Sequence, residues 1–320
     1  MAGLTFTGAV TLAGAIQATG AGYVAPPPPP PPSYKAIFGY GFFSPSGVSM
    51  TNLVSNTGVV ATDTTGVGSA RYALAAAGYG TDKAIFGYGF SDSFGRVSIT
   101  NKVSNTGVVA TDTTGVGTGR NSLSAAGYGT DKAVFGYGAT GAGYVSMTNL
   151  VTNTGVVGND VTGVGSARKT LAAAGYGNSG QAIFGYGDTG STTAITNLIS
   201  NTGVVATDTT GVGTTRLGLA AAGYGTDKAI FGYGSSDSGV VSITNKVSNT
   251  GVVATDTTGV GTARQLLAAA GYGVDTAIFG YGSGPVSMTN LVSNTGVVAT
   301  DTTGVGTSRW NLAAASYGLA

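Results

Sequence analysis

Six aspartates each stand eight residues before an arginine: Asp63 and Arg71, Asp112 and Arg120, Asp160 and Arg168, Asp208 and Arg216, Asp256 and Arg264, Asp301 and Arg309. Charged residues make up only 8% of the 320-residue chain, so pairs this regular have a fixed task. Two tasks suit them. Six guanidinium groups around a central channel would hold an anion, because the planar fork of Arg presents several fixed donors. Alternatively, each unit carries one ion pair or Arg–carbonyl bond that ties a turn to its neighbour. The second, structural, task is the expectation.

The residue types that are missing narrow the chemistry further. The sequence has no His and no Cys, and every acid is Asp. Neither an imidazole or thiolate metal centre nor a disulfide framework can be built from it. Ser–His and Cys–His nucleophilic catalysis is excluded as well. Glycoside hydrolysis generally needs two carboxylates flanking one bond. The acids in the variable stretches described below, Asp92, Asp188 and Asp237, fall in three different units. No catalytic residue, metal or cofactor is therefore expected. The net charge of +1 leaves no basic footprint for nucleic acid. No apolar run reaches the length of a membrane span, and the N-terminus lacks the cationic start of a secretory signal.

The pairs belong to a tandem repeat. Phe-Gly-Tyr-Gly begins at Phe38, Phe86, Phe135, Phe184, Phe231 and Phe279, at spacings of 48, 49, 49, 47 and 48 residues. Such periods mark solenoids, propellers or arrays. Within a unit, short runs rich in Val, Ile, Thr, Phe and Tyr lie between Gly, Asn and Asp punctuation, the pattern of short strands joined by turns. Leu74-Ala-Ala-Ala-Gly-Tyr-Gly is too short and too glycine-bound for a helix. It reads as a strand packed closely on a neighbour. Four strands per unit follow: Leu-Ala-Ala-Ala-Gly-Tyr, Ala-Ile-Phe-Gly-Tyr, Thr-Asn-Leu-Val and Val-Val-Ala-Thr-Asp. Six such units predict an all-β, six-bladed β-propeller over residues 35–320. The array opens at Lys35 without a Leu-Ala-Ala-Ala strand and closes on Leu312-Ala-Ala-Ala, so the C-terminal strand is expected to complete the first unit and close the ring.

The order of features in each unit resembles kelch repeats: an Arg, a small-residue strand, a hydrophobic strand ending in glycines, a variable loop, a further strand, and a turn back to Arg. The unit departs from that pattern in having Phe-Gly-Tyr-Gly instead of adjacent glycines and in lacking the kelch Trp at its usual place. In texture the chain is similar to kelch-like virion proteins of marine bacteriophages, including phages of cyanobacteria. That resemblance implies a structural or fibre protein on the surface of a virus particle. The Asp-box of six-bladed sialidases is absent, as are the His and Cys ligands of kelch-type copper oxidases.

What varies between units lies between Phe-Gly-Tyr-Gly and the Thr-Asn pair. Repeat symmetry places these six loops on one face, and loops on a rigid scaffold are where binding usually resides. Their candidate contact residues are Phe42, Phe43, Phe90, Asp92, Phe94, Arg96, Tyr144, Asp188 and Asp237. Ahead of the repeats, residues 1–25 read as an attachment strand and residues 26–34 as a polyproline linker acting as a semi-rigid spacer. The expected protein is a virion appendage, a tail fibre, spike or head fibre. Its N-terminal strand joins other virion proteins, and its loops bind a host cell-surface glycan or protein. A homo-oligomer is allowed; nucleic acid and membrane insertion are not expected. A purely structural capsid or tail decoration and a host extracellular filament or surface-layer adhesin are the alternatives.

Overall fold

The computed structural model describes residues 34–319, and among them every regular element is a β-strand. The expected attachment strand and linker lie outside the described residues, except for Tyr34, which opens a strand.

Six antiparallel three-stranded sheets recur along the chain. Sheet 2 shows the plan, with a first strand Ala75–Tyr79, a central strand Lys83–Gly87 and a third strand Thr100–Val103. Ala75 pairs with Gly87 and Tyr79 with Lys83, while Ala84 pairs with Val103 and Gly87 with Thr100. The central strand, Ala84-Ile-Phe-Gly, is buried on both faces, as a continuous apolar run requires. Sheets 3 to 6 repeat the order with first strands Ser124–Tyr128, Ala172–Tyr176, Ala220–Tyr224 and Ala268–Tyr272. Sheet 1 draws its first strand from the far end of the sequence: Ala313–Leu319 pairs with Tyr34–Gly39, which pairs in turn with Thr51–Val54.

The expected fourth strand is not regular. Val-Val-Ala-Thr-Asp meets the third strand only at isolated bridges, Val54 to Val60 and Thr51 to Thr64 in sheet 1. The cause is the buried Asn of Thr-Asn. Asn52 Nδ2 donates to the carbonyl of Ala61 at 3.0 Å and to Asp63 Oδ1 at 2.9 Å, so a side chain holds the segment where a ladder would otherwise form. The equivalent Asn makes the same two bonds in the other five sheets.

Neighbouring sheets interlock through Phe-Gly-Tyr-Gly. A Cβ on Gly136 would lie 2.5 Å from the Phe184 ring, and one on Gly280 would lie 2.6 Å from Phe38, so each Phe occupies the space its neighbour's glycine leaves. The same Phe packs on the Tyr that directly follows that glycine, as in Tyr137–Phe184 at 5.0 Å and Phe38–Tyr281 at 5.1 Å between centroids.

Two circuits of backbone hydrogen bonds join the first strands and their hairpins. At the hairpin end, Gly80 N–H donates to Asp131, Gly129 to Gly180, Gly177 to Asp227, Gly225 to Asp275, Gly273 to Tyr34 and Gly318 to Asp82. At the opposite end, Ala73 donates to Asn311, Asn311 to Leu266, Leu266 to Gly218, Gly218 to Thr170, Thr170 to Ser122 and Ser122 back to Ala73. All six residues of this second circuit have φ between 51° and 62°. That conformation is uncommon for Thr or Leu and persists only where the surroundings over-determine it.

Candidate functional site

The six arginines sit inside the frame and face no channel. Arg71, Arg120, Arg168, Arg216 and Arg309 are fully buried and Arg264 is 1% exposed. Arg120 shows the arrangement. Its Nε donates to the carbonyl of Tyr137 at 2.9 Å, and its other nitrogens donate to the Thr118 carbonyl and Asn149 Oδ1. The guanidinium lies 4.4 Å from the centroid of Tyr88. Arg71 and Arg216 turn differently, donating to the carbonyls of Ile99 and Ile243 and to Asn101 and Asn245.

The aspartates are partnered differently from the eight-residue pairing. Arg309 meets Asp63 at 3.8 Å, Arg120 meets Asp160 at 3.7 Å, Arg168 meets Asp208 at 4.0 Å and Arg264 meets Asp301 at 3.8 Å. Arg71 and Arg216 feel Asp112 and Asp256. Each Arg therefore faces the Asp of the following unit. The turn through Gly68, at φ 76°, carries Ser69 onto Asp112, which accepts from Ser69 N and Oγ. Asp63 is held in the same way by Thr307, 244 positions along the sequence. Burial pulls the carboxyl pKa of Asp63 upward, but the bonds from Thr307 and Asn52, with Arg309 beside them, leave it below the usual carboxylate range. Burial pushes Tyr40, Tyr88, Tyr186, Tyr233 and Tyr281 up to about 12, against the pull of the stacked Arg. This buried lattice is cohesive chemistry and offers no open anion site.

The variable loops are stitched to one another. Asp92 Oδ2 accepts from Gly47 N at 2.8 Å, joining loops of sheets 1 and 2. Arg96 Nε donates to Asn121 Oδ1 at 3.1 Å. Tyr144 donates to Asp188 Oδ2 at 3.1 Å, while Lys169 stands 3.7 Å from Asp188 and 4.7 Å from the Tyr144 ring centroid. Asp237 Oδ1 accepts from Thr192 at 2.8 Å. Of the nine predicted contact residues, Phe43 and Phe94 stand out most into solvent as apolar groups, at 43% and 71% exposure.

Phe42 and Phe90 lead to residues that sequence reasoning missed. Each loop's first residue bonds to the residue after the buried Arg. Phe42 exchanges backbone bonds with Trp310, and Phe90 with Tyr72; the corresponding pairs elsewhere are Asn121–Ala139, Lys169–Asp188 and Leu217–Ser235. The ring of Phe42 lies 5.0 Å from Trp310 and 5.1 Å from Tyr72, and Tyr72 lies 5.4 Å from Phe90. Four aromatic rings thus run across two adjacent sheets, half-buried and tilted 40–78° to one another, where the other sheets place mainly small or polar groups. The available signal was the second variable stretch, the two residues between Arg and Leu, which read Tyr-Ala, Asn-Ser, Lys-Thr, Leu-Gly, Gln-Leu and Trp-Asn.

The hairpin end carries a cavity of about 300 Å³ lined by Tyr34, Tyr79, Thr81, Lys83 and their counterparts. Its lysines are engaged locally, as in Lys83 with Asp82 at 2.6 Å. Among the described residues no cluster of acids could hold a metal ion. No protein-family model matches the chain, and it has no match among curated proteins.

Proposed function

We propose that the six sheets are the blades of a closed, kelch-like β-propeller, and that the protein is a non-enzymatic virion appendage whose loop end binds a host surface. The closed architecture is supported by the succession of first strands, each packing on the next and Ala313–Leu319 packing on Ala75–Tyr79, together with the two hydrogen-bond circuits. The binding role rests on one observation: both variable stretches of every repeat converge at one end of the frame, while the hairpins at the other end keep Thr-Asp-Lys in three units and depart from it only at Asn178-Ser-Gly-Gln and Val274-Asp-Thr. A repeated frame whose variation is concentrated in the loops of one end is the usual division between scaffold and recognition. The virion setting rests on the kelch-like texture of the repeats, with residues 1–25 as the segment that joins the particle.

Peptide mass spectrometry on density-purified virus particles from the source material tests the setting. Stoichiometric presence is expected, and the copy number separates a few fibres from many decoration subunits. Absence from clean particles, with abundance in a cell-surface or filament fraction, overturns it in favour of a host adhesin.

A further inference from the structure

We propose that the aromatic platform of Trp310, Phe42, Tyr72 and Phe90 is a saccharide-binding site, with Asp92 and Arg96 as its hydrogen-bonding groups. The inference rests on reading the loop end as the recognition face and names the ligand class there.

The platform is fixed before any ligand arrives. Two backbone rungs hold the rings in pairs, and the Phe42–Tyr72 contact locks the pairs together across a sheet boundary. Pre-organised rings lose little freedom on binding. Both charged groups stand one rung from the rings. Arg96 pairs directly with Phe90, and Asp92 bonds the backbone of Gly47, the pairing partner of Phe42. Each is only partly used. Asp92 Oδ1 and the terminal nitrogens of Arg96 take part in no hydrogen bond among the described residues.

An apolar floor with one free acceptor and one free donor at its rim has a definite complement. A sugar ring offers an apolar C–H face to stack on the floor and hydroxyls that both donate and accept. A purely apolar protein surface would bury Asp92 and Arg96 without partners, at a high cost. A polyanion would meet the Asp92 carboxylate and no compensating basic field. A neutral saccharide uses every group present.

Trp310 is the only tryptophan of the chain, so its emission reports on the platform directly. The full chain would be titrated with malto-, cello-, manno- and chito-oligosaccharides. The expected result is a saturable emission change with at least one series. Its midpoint should rise about ten-fold or more in Tyr72→Ser and in Asp92→Asn, and stay unchanged in Val252→Ser at the opposite end. Circular-dichroism melts confirm that each variant is folded, and Phe90→Ser substitutes for Tyr72→Ser if that variant does not fold. No saturable change with any series, or a midpoint unmoved by these loop-end variants, overturns the proposal. Binding of labelled protein to host cells before and after periodate oxidation separates the two readings. Cell binding that survives periodate overturns the saccharide while leaving host recognition in place. A saturable titration without any cell binding overturns host recognition while leaving the saccharide site.

Discussion

The two ends of the sheets treat repetition in opposite ways. At the hairpin end every Asn-Thr-Gly turn is followed by the same valine, and these six valines are 57–66% exposed. At the loop end the residue following the buried Arg is Tyr, Asn, Lys, Leu, Gln or Trp. Packing does not demand Val59 and its counterparts, so sameness in this chain is partly a product of copying. Difference is the more informative property. It begins one residue beyond the Arg and one beyond Phe-Gly-Tyr-Gly, where the buried lattice stops making demands, and there it builds an aromatic platform on one side only.

The comparison breaks first if the lattice is not what holds the repeats together. Arg120→Ala leaves the buried acceptors on Tyr137 and Asn149, and the Thr118 carbonyl, without their donor and takes from Asp160 its counter-charge, and it should cost about 3–5 kcal/mol, read as a fall in the guanidinium midpoint. A loss below about 1 kcal/mol, the range of exposed pairs, would show that the guanidinium is dispensable.

A sharper test uses pH. The lattice aspartates have pKa values depressed by folding, so their contribution is present above the unfolded value near 4 and drains as pH falls through the folded one. The buried tyrosines are raised to about 12, so their contribution is present below the unfolded value near 10 and is lost as pH rises towards 12. Denaturation midpoints should therefore hold level between about pH 4 and pH 10 and fall on both sides. In native protein, ultraviolet titration should show the Tyr40 set ionising only as the fold opens; early ionisation of all tyrosines would contradict the burial.

The smallest effect is expected at the loop tips. Phe94→Ser, at a side chain 71% exposed, should change stability by no more than about 0.5 kcal/mol while weakening adsorption to host cells. Unchanged adsorption would remove this tip from the contact surface.

Much of this plan is legible in the sequence because it is written six times. The Phe-Gly-Tyr-Gly period, the Ala-rich strand and the Thr-Asn-Leu-Val strand all appear where the spacing places them. The partners of the Asp–Arg pairs are not legible, since identical units leave open whether Asp63 meets Arg71 or the Arg of another unit. A turn at Gly68 decides it. The irregular fourth segment is hidden for a related reason: its composition suits a strand, and only the reach of Asn52 to Ala61 and Asp63 breaks the ladder. Tyr72 and Trp310 escape notice because each is a single substitution next to an unchanging Arg, and their neighbours Phe90 and Phe42 come from another part of the repeat.

The composition of sheet 1 sets a timetable for biosynthesis. Its central strand, Tyr34–Gly39, emerges from the ribosome among the first described residues, yet its partner Ala313–Leu319 emerges among the last. Until then one edge of an apolar strand stays open to other nascent chains carrying the same Leu-Ala-Ala-Ala pattern. Translation speed over the intervening units, and any chaperone that shields Tyr34–Gly39 meanwhile, would govern the yield of correctly paired protein as directly as the stability of the finished fold.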